Sequence, residues 1–363
     1  MTWDEIDWQV LDRLRMGFLS GQTSKRSYWK SEKDLANYDF TFAARIGWKW
    51  DAVLGALRAR PWQPPPGPLL DWGCGSGVAC RRVLAAFGPT SFSEVRCFDR
   101  SRLAVDYSLA ALQRDFPNIR VAPAESDGTL VDNLRQGVGC FTAEGDDRES
   151  CGIGTLVVSH VLNELPEFER KRLLRLARQA QSIVWVEPGT HADSHSLIAV
   201  REALRDDFRA VAPCSHSGVC GLATMGKTPH WCHFFAPPPA GIHADSGWVR
   251  FAQRAGIDLR SLPYSYLVLD RRQPGQPRVD EGTDSRLFRL LGLPRRYKGF
   301  LRMFACGIGG VKEYNLQERT DRALFKELLD EPPSRLIRML SEGDRVESAR
   351  WLGAPQPVDG DRS

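Results

Sequence analysis

The spacing of hydrophobic and polar positions changes along the chain, and each spacing predicts a kind of element. In residues 1–60, large apolar side chains recur at the period of an amphipathic helix. The proline-rich run 61–68 cannot continue a helix and marks a boundary. Beyond it, short apolar runs alternate with helical stretches, a pattern that predicts a parallel, doubly wound α/β sheet.

The predicted elements follow from these runs. The first predicted strands span residues 69–72, 94–98, 119–122, 154–159 and 183–187. The predicted helices span residues 78–87, 101–115, 167–179 and 194–208. From residue 212 to 246 the pattern breaks into cysteine, histidine, proline and glycine, and we interpret this segment as an insertion. Two final strands of the same sheet are expected at residues 264–270 and 300–305, and a polar tail follows residue 353.

Composition places the chain among ordinary globular proteins. Its 363 residues are 42% hydrophobic and 26% charged, a balance that can bury a sizeable core. No apolar run approaches the roughly 18 residues that a membrane helix needs. The acidic first residues lack the pattern of a secretory signal or a transit peptide. We therefore expect a cytoplasmic monomer that does not associate with membranes.

A glycine loop follows the first predicted strand. Asp71, Gly73, Gly75 and Gly77 stand between a strand and a helix, where glycines let the backbone approach a ligand and the helix N-terminus offers N–H groups. The spacing departs from the dinucleotide fingerprint and resembles motif I of class I methyltransferases. Asp99 ends the second strand, where a carboxylate can accept both ribose hydroxyls. We expect these residues to bind S-adenosylmethionine.

The loop after the fourth predicted strand is the place where chemistry is expected. His160 and Glu164 are weak candidates for a general base. Ser159, at the end of the strand, is a further candidate contact of the cofactor. Asn163 and Glu164 could equally cap the next helix. The residues alone leave catalysis and capping both open.

Four of the nine cysteines form a candidate metal site. Cys214, Cys220 and Cys232 share an irregular stretch with three histidines, and Cys306 ends the last predicted strand. In a reducing compartment such cysteines are thiols or metal ligands rather than disulfides. Thiolates suit zinc and iron–sulfur centres, so a Cys3His zinc site and a 4Fe–4S cluster both remain open.

Several of these runs together resemble one protein family. They are residues 70–77, 159–165, 186–189, 213–216 and 231–234. The combination is similar to the methyltransferase-like family associated with the mitochondrial ribosomal small subunit, which includes methyltransferase-like protein seventeen and bacterial relatives. The similarity extends over about residues 40–315.

This resemblance implies a fold, two cofactors and a partner. The implied fold is that of a class I S-adenosylmethionine-dependent methyltransferase, Rossmann-like and doubly wound, to which the pattern along this chain adds a helical N-terminal extension and a Cys-rich metal-binding insertion. A 4Fe–4S cluster would be held by Cys214, Cys220, Cys232 and Cys306. The implied partner is the small ribosomal subunit, whose rRNA the protein would bind during assembly, and methyl transfer itself stays open.

Charge favours the RNA-binding interpretation. The whole chain carries a net charge of only +4, but residues 250–312 hold thirteen Lys and Arg against five Asp and Glu. The candidate RNA-binding residues in this region are Arg271, Arg272, Arg295, Arg296, Lys298 and Arg302. Such a surface favours a phosphate backbone. The alternative is an arginine-rich face that only contacts solvent.

These expectations define five regions and three hypotheses. The regions are a helical N-terminal part (1–65), a Rossmann-like cofactor-binding core (66–211), a metal-binding insertion (212–246), the C-terminal part of the core sheet with a basic surface (247–330), and a helix with a polar tail (331–363). The first hypothesis is an rRNA-binding assembly factor of the small ribosomal subunit. The alternatives are an active RNA methyltransferase and a small-molecule methyltransferase with a zinc-stapled lid.

Overall fold

The computed structural model describes residues 1–20, 28–60, 62–124, 152–271, 286–329 and 336–351. These residues form a large sheet covered by helices, followed by a closed five-stranded barrel. The polar tail predicted after residue 353 lies outside the described residues.

The large sheet contains strands β1 to β8 in the order β3-β2-β1-β4-β5-β8-β6, with β7 paired to β8. The strands are Leu69–Trp72 (β1), Val95–Phe98 (β2), Val121–Pro123 (β3), Ile153–Ser159 (β4), Ala180–Pro188 (β5), Arg209–Ala212 (β6), Phe234–Ala236 (β7) and Leu262–Asp270 (β8). Strands β1 to β5 pair in parallel, whereas β8 is antiparallel to β5, β6 and β7. The predicted doubly wound α/β sheet is confirmed.

Helices cover both faces of this sheet. The α-helices are Trp8–Ser20, Glu32–Tyr38, Ala44–Arg58, Val78–Phe87, Arg102–Asp115, Glu167–Ala177, His191–Leu204, Gly221–Thr224, Ser246–Ala255 and Arg322–Leu329. Side chains alternate across a strand, so Leu69 packs in one core with Trp50 and Leu84, while Leu70 packs in a second core with Leu197. None of the described helices is both long enough and apolar enough to cross a membrane.

The N-terminal helices are anchored to the helix Ser246–Ala255. The Trp3 ring meets the Trp248 ring edge-on at 5.2 Å between centroids, and Arg254 Nη2 pairs with Asp12 Oδ2 at 2.6 Å. A β-carbon on Gly247 would lie 2.3 Å from the Trp3 ring, so this contact requires a glycine. The anchoring holds the N-terminal helices over the carboxyl ends of β1, β2 and β4.

The barrel contains the last five strands. They are Leu287–Tyr297 (β9), Phe300–Gly307 (β10), Gly310–Gln317 (β11), Leu336–Glu342 (β12) and Arg345–Trp351 (β13). They close in the order β10-β11-β13-β12-β9, and the helix Arg322–Leu329 lies between β11 and β12. Leu301, Met303 and Leu316 point inward and form the barrel core with residues of that helix.

Two predictions about this region are wrong. Residues 300–305 are a strand, but β10 is paired on both edges with β9 and β11 and therefore belongs to the barrel, not to the core sheet. The described residues 336–351 form β12 and β13 and not the predicted helix. Ile337 and Met339 are buried while their neighbours are more exposed, and Gly343 turns the chain at φ 61°. This two-residue alternation favours strands.

Candidate cofactor pocket and cysteine site

A cavity of about 480 Å³ lies at the carboxyl ends of β1, β2 and β4. Ligands of open α/β sheets bind at this edge. Its walls include the predicted residues Gly73, Gly75, Asp99, Ser159, His160 and Glu164. Its roof consists of aromatic side chains from the N-terminal helices and the segment that joins them: Phe18, Tyr28, Trp29, Tyr38 and Phe42.

The three glycines of the loop have different steric requirements. Gly73, Gly75 and Gly77 have φ values of 77°, 52° and 77°. A β-carbon on Gly77 would lie 2.3 Å from Ser108 Oγ, and one on Gly73 would lie 2.7 Å from Val161 Cγ1. A β-carbon on Gly75 would have no neighbour within 4 Å. Packing therefore requires glycine at residues 73 and 77, whereas Gly75 leaves open space at the cavity wall.

The two predicted acidic residues lie on opposite sides of this loop. Asp99 lines the cavity, and its carboxylate accepts the N–H groups of Gly75 at 3.1 Å and Ser101 at 2.8 Å. Asp71 lies behind the loop, where its Oδ2 accepts the N–H of Cys80 at 3.3 Å. Burial raises the pKa of Asp71 to about 7 and also raises that of Asp99. Asp99 can thus contact a ligand directly, while Asp71 supports the start of the following helix.

His160 adopts a strained backbone conformation at the cavity wall. Its φ is 56°, a left-handed value that a side chain larger than glycine adopts at a cost. Its Nε2 lies 3.3 Å from Lys49 Nζ, and its Nδ1 lies 3.2 Å from Ser159 Oγ. Trp50 Nε1 donates to the same Ser159 Oγ at 3.0 Å. Burial, assisted by Lys49, lowers the pKa of His160 well below its ordinary value, so the imidazole stays neutral and is a weak base.

Lys49 is a residue of this site that the sequence analysis missed. It belongs to the helix Ala44–Arg58, and burial lowers the pKa of its amine to about 7. A lysine on an amphipathic helix is ordinarily solvated, so the residue type alone did not indicate that Lys49 lies at the pocket. Its position between Trp48 and Trp50, on a helix that packs against the sheet, was the available indication.

Two glutamates lie at this part of the site, Glu164 in the loop after β4 and Glu187 on the neighbouring strand β5. Glu164 lines the cavity, Arg100 Nη2 lies 3.8 Å from it, and burial raises its pKa to about 7. Glu187 Oε1 accepts the N–H groups of Val161 and Leu162 and thereby fixes the loop that carries His160. Burial raises the pKa of Glu187 to about 8. The helix Glu167–Ala177 starts after Pro166 without a side-chain cap, so the capping alternative for Glu164 is wrong.

The four cysteines predicted as metal ligands line one small cavity. Its volume is about 40 Å³, and its walls include Cys214, Cys220, Cys232 and Cys306. The first three come from the segment between β6 and β7, and Cys306 comes from β10 of the barrel. Burial, together with the neighbouring cysteines, raises the pKa of Cys306 to about 12 and that of Cys232 well above its ordinary value.

Two buried arginines flank the cysteines. Arg201, only 3% exposed, donates from Nε to Cys214 Sγ at 3.3 Å and from Nη2 to the carbonyls of His216 and Gly218 at 3.1 and 2.7 Å. Arg289 lines the same cavity and donates from Nε to the Pro213 carbonyl at 2.6 Å. Their positive charge favours anionic sulfur ligands in this enclosed space.

Within the described ranges, no group of three or more His, Cys, Asp or Glu side chains is arranged to hold a metal ion. His216, a possible fourth ligand of a zinc site, places its Nε2 3.9 Å from Cys306 Sγ. The four cysteines line the same small cavity.

The candidate RNA-binding residues separate into two places. Arg295, Arg296, Lys298 and Arg302 lie together on the hairpin of β9 and β10. Arg271 lies at the end of β8, where its guanidinium is 4.7 Å from the Phe208 ring and donates to the Arg178 carbonyl at 2.6 Å. Arg272 lies outside the described residues. The structure thus groups four of the six candidates on one hairpin, where Arg295 faces Arg302 and Arg296 pairs with the inward-pointing Leu301.

Comparison with known sequences identifies a family. The model of the family described as mitochondrial small ribosomal subunit Rsm22 matches residues 41–289, which is more than half of the chain. The matched residues include the glycine loop, His160 and the first three cysteines of the cysteine site. No curated protein matches the sequence significantly.

Three of the solved structures that match the chain are methyltransferases of low sequence identity. The plantazolicin methyltransferase BpumL in complex with SAH is 12% identical with a TM-score of 0.37, and the alignment covers 73% of this chain and all of that one. A precorrin-6y C5,15-methyltransferase from Geobacter metallireducens is 13% identical with a TM-score of 0.34 (61% and 87% covered). A SAM-dependent methyltransferase from Aquifex aeolicus is 12% identical with a TM-score of 0.34 (51% and 93% covered).

Proposed function

Because this chain belongs to the family described as mitochondrial small ribosomal subunit Rsm22, we propose that it is an assembly factor that binds the RNA of the small ribosomal subunit. The observation that carries the proposal is the family match over residues 41–289. The basic hairpin of β9 and β10 supports it, since clustered Arg and Lys residues favour a phosphate backbone. The cytoplasmic location and the monomeric state stay predictions from the sequence.

Sedimentation with purified ribosomal particles tests this function. We expect the protein to co-sediment with small subunits at low salt and to dissociate as salt rises, because phosphate contacts release counterions. Large subunits serve as the matched control particle. Equal retention by both subunits, or no retention by small subunits, would contradict the proposal.

The cofactor pocket supports S-adenosylmethionine as a ligand. The backbone of Gly73 and Gly75 and the carboxylate of Asp99 would hold it, and the open space beside Gly75 leaves room that a side chain would fill. When bound, this cofactor supplies an electrophilic methyl group. Isothermal titration with S-adenosylmethionine and with S-adenosylhomocysteine tests the assignment, and binding of neither compound would refute it.

The cysteine site supports a 4Fe–4S cluster, with a zinc ion as the alternative. Each cysteine of a 4Fe–4S cluster binds a different iron, and all four thiols line one cavity. Arg201 and Arg289 would offset the negative charge of a thiolate-bound cluster.

Anaerobic purification followed by metal analysis separates these two assignments. We expect visible absorption from iron–sulfide bonds, with iron and sulfide in equal amounts and little zinc. Cys306→Ser should lose the iron. Cys80→Ser is the matched control, since Cys80 is equally buried but donates to the Gly77 carbonyl in another part of the fold, a bond that serine can keep. One zinc per chain without iron would refute the cluster.

Active methyl transfer is a second candidate function, favoured by the environment of His160. The Lys49 amine, whose pKa is lowered to about 7, faces the pocket beside the neutral His160 imidazole, so this amine can remove a proton from a methyl acceptor. Transfer of labelled methyl groups to small-subunit rRNA, lost in His160→Ala, would establish this function. Transfer to small molecules but not to rRNA would instead favour the small-molecule alternative.

A further inference from the structure

The strand order of the C-terminal barrel is that of the oligonucleotide-binding fold. Strands β9, β10 and β11 are sequential antiparallel neighbours, β11 pairs in parallel with β13, and β12 closes the barrel against β9. The helix Arg322–Leu329 connects the third strand to the fourth. Barrels of this fold bind ligands across their second and third strands and beside the loop between the first and second. In this chain those positions are β10, β11 and the turn at residues 298–299.

The outer face of β9 and β10 beside this turn carries two stacked aromatic rings. Cross-strand pairing places Tyr297 opposite Phe300, and their ring centroids lie 4.9 Å apart at an interplanar angle of 6°. Tyr297 is 39% exposed and Phe300 is partly exposed. Further along β10, the His230 ring covers the Phe304 ring, and their centroids lie 4.2 Å apart. The free part of the face is therefore the part next to the turn.

Positive charge surrounds these rings. The pairing that aligns Tyr297 with Phe300 also places Arg295 directly opposite Arg302. Like charges at facing positions of a sheet repel each other, so this arrangement disfavours the unbound surface and favours an anion. Residues 286–307 contain no acidic residue. Glu313 of β11 lies 3.8 Å from Arg302 Nη1 and offsets one of the two facing charges.

Arg302 connects the charged and aromatic parts of this face. Its guanidinium carbon lies 5.0 Å from the centroid of Tyr297 and 6.0 Å from that of Phe300. Its Nε is buried without a hydrogen-bond partner among the described residues, so a phosphate would contact the outer Nη groups. A guanidinium held against aromatic rings keeps its outer N–H groups available for a phosphate.

We propose that the barrel face formed by Arg295, Tyr297, Lys298, Phe300 and Arg302 binds single-stranded RNA. Unpaired bases stack on Tyr297 and Phe300, and the phosphates between them contact Arg295, Lys298 and Arg302. A duplex is a poor ligand for this face because its bases already stack on each other and expose only their edges. That the strand is RNA rests on the proposed function in small-subunit assembly.

Fluorescence anisotropy of the full-length protein tests the aromatic part of this inference. The probe is a labelled single-stranded RNA of about 12 nucleotides, within the usual site size of the fold. We expect the double variant Tyr297→Leu/Phe300→Leu to bind at least about ten-fold more weakly, because each stacked base contributes about that factor. Phe168→Leu is the matched control, since it removes an exposed ring from the helix Glu167–Ala177. Unchanged melting of both variants shows that they fold.

The contribution of the basic residues to RNA binding is measured separately, through the salt dependence of the affinity. Arg295→Gln should lower the slope of log affinity against log salt by about 0.7, the value for one phosphate contact with a single strand. Arg175→Gln, which removes an exposed arginine of the helix Glu167–Ala177, should leave that slope unchanged. Equal effects of the two substitutions would show that overall charge and not this face binds the probe.

Two results would overturn the inference. They are equal affinity for the duplex of the same sequence and unchanged affinity of the double variant. Co-sedimentation with small subunits is measured on the same samples, so the two proposals fail separately. Retained co-sedimentation without strand binding would refute this inference alone, and strand binding without co-sedimentation would refute the proposed function.

Discussion

Alanine substitutions in the glycine loop can separate an effect on stability from an effect on cofactor binding, because each substitution adds a single methyl group at one position. Alanine at Gly75 would adopt a left-handed backbone at a cost of about 1–2 kcal/mol, with no side-chain contact within 4 Å. Alanine at Gly77 would add a contact of 2.3 Å with Ser108 Oγ to the same backbone cost. Overpacking of this kind costs about 1–3 kcal/mol. We therefore expect Gly77→Ala to lower the free energy of unfolding by about 2–5 kcal/mol and Gly75→Ala by about 1–2 kcal/mol.

Cofactor affinity should follow the opposite order. The methyl group of Gly75→Ala would occupy the space that S-adenosylmethionine needs beside the loop, so we expect its affinity to fall by about ten-fold or more. Gly77 does not line the cavity, and the folded fraction of Gly77→Ala should bind almost normally. Urea denaturation measures the unfolding free energy, and isothermal titration measures the affinity.

A rescue variant checks the steric argument. Ser108→Ala in the Gly77→Ala background removes the clashing hydroxyl without placing a glycine inside a helix, and it should recover most of the overpacking part of the loss but not the backbone part. If Gly75→Ala binds S-adenosylmethionine like the wild type, the loop is a structural turn and the pocket assignment is refuted. If Gly77→Ala is as stable as Gly75→Ala, the steric reasoning is wrong.

Three further changes test buried charges. The pKa of Lys49 is lowered to about 7, so the free energy of unfolding should rise with pH between about 7 and 10 by at most about 1.4 kcal/mol per unit, and Lys49→Met should flatten this rise in urea titrations. The pKa of Glu187 is raised to about 8, so stability should fall as pH rises from about 4.5 to 8, a decline that Glu187→Gln should remove. Arg201→Met leaves two buried carbonyls without their donor and should cost about 3–5 kcal/mol in thermal unfolding. Unchanged slopes in the first two variants, or an unchanged melting temperature in the third, would contradict these expectations.

The parts of the fold that depend on local spacing could be predicted from the sequence. The strand, glycine loop and helix around Gly73 are encoded within about a dozen residues, since the glycines and the apolar periods are neighbours in the chain. Asp99 and His160 were identified for the same reason, because each directly follows a short apolar strand.

The barrel could not be predicted in this way. Its closure depends on pairing between β9 and β12, and between β11 and β13, across a helix and two turns. Gly292 and Pro294 interrupt the apolar pattern of β9, so the length of this strand could not be predicted from the sequence. The role of Lys49 could not be predicted either. The burial of a lysine on a helix depends on tertiary packing, here on the aromatic side chains that cover the pocket.

We expect the aromatic roof of the pocket to limit how fast a ligand enters and leaves. The N-terminal helices are attached to the helix Ser246–Ala255 through the rings of Trp3 and Trp248 and through the exposed pair of Asp12 and Arg254. We expect release of a ligand from the pocket to require partial detachment of these helices. An exposed ion pair contributes at most about 1 kcal/mol, so screening by salt should shorten the residence time of the ligand by about five-fold at most. The ring contact of Trp3 and Trp248 should keep the helices attached at high salt.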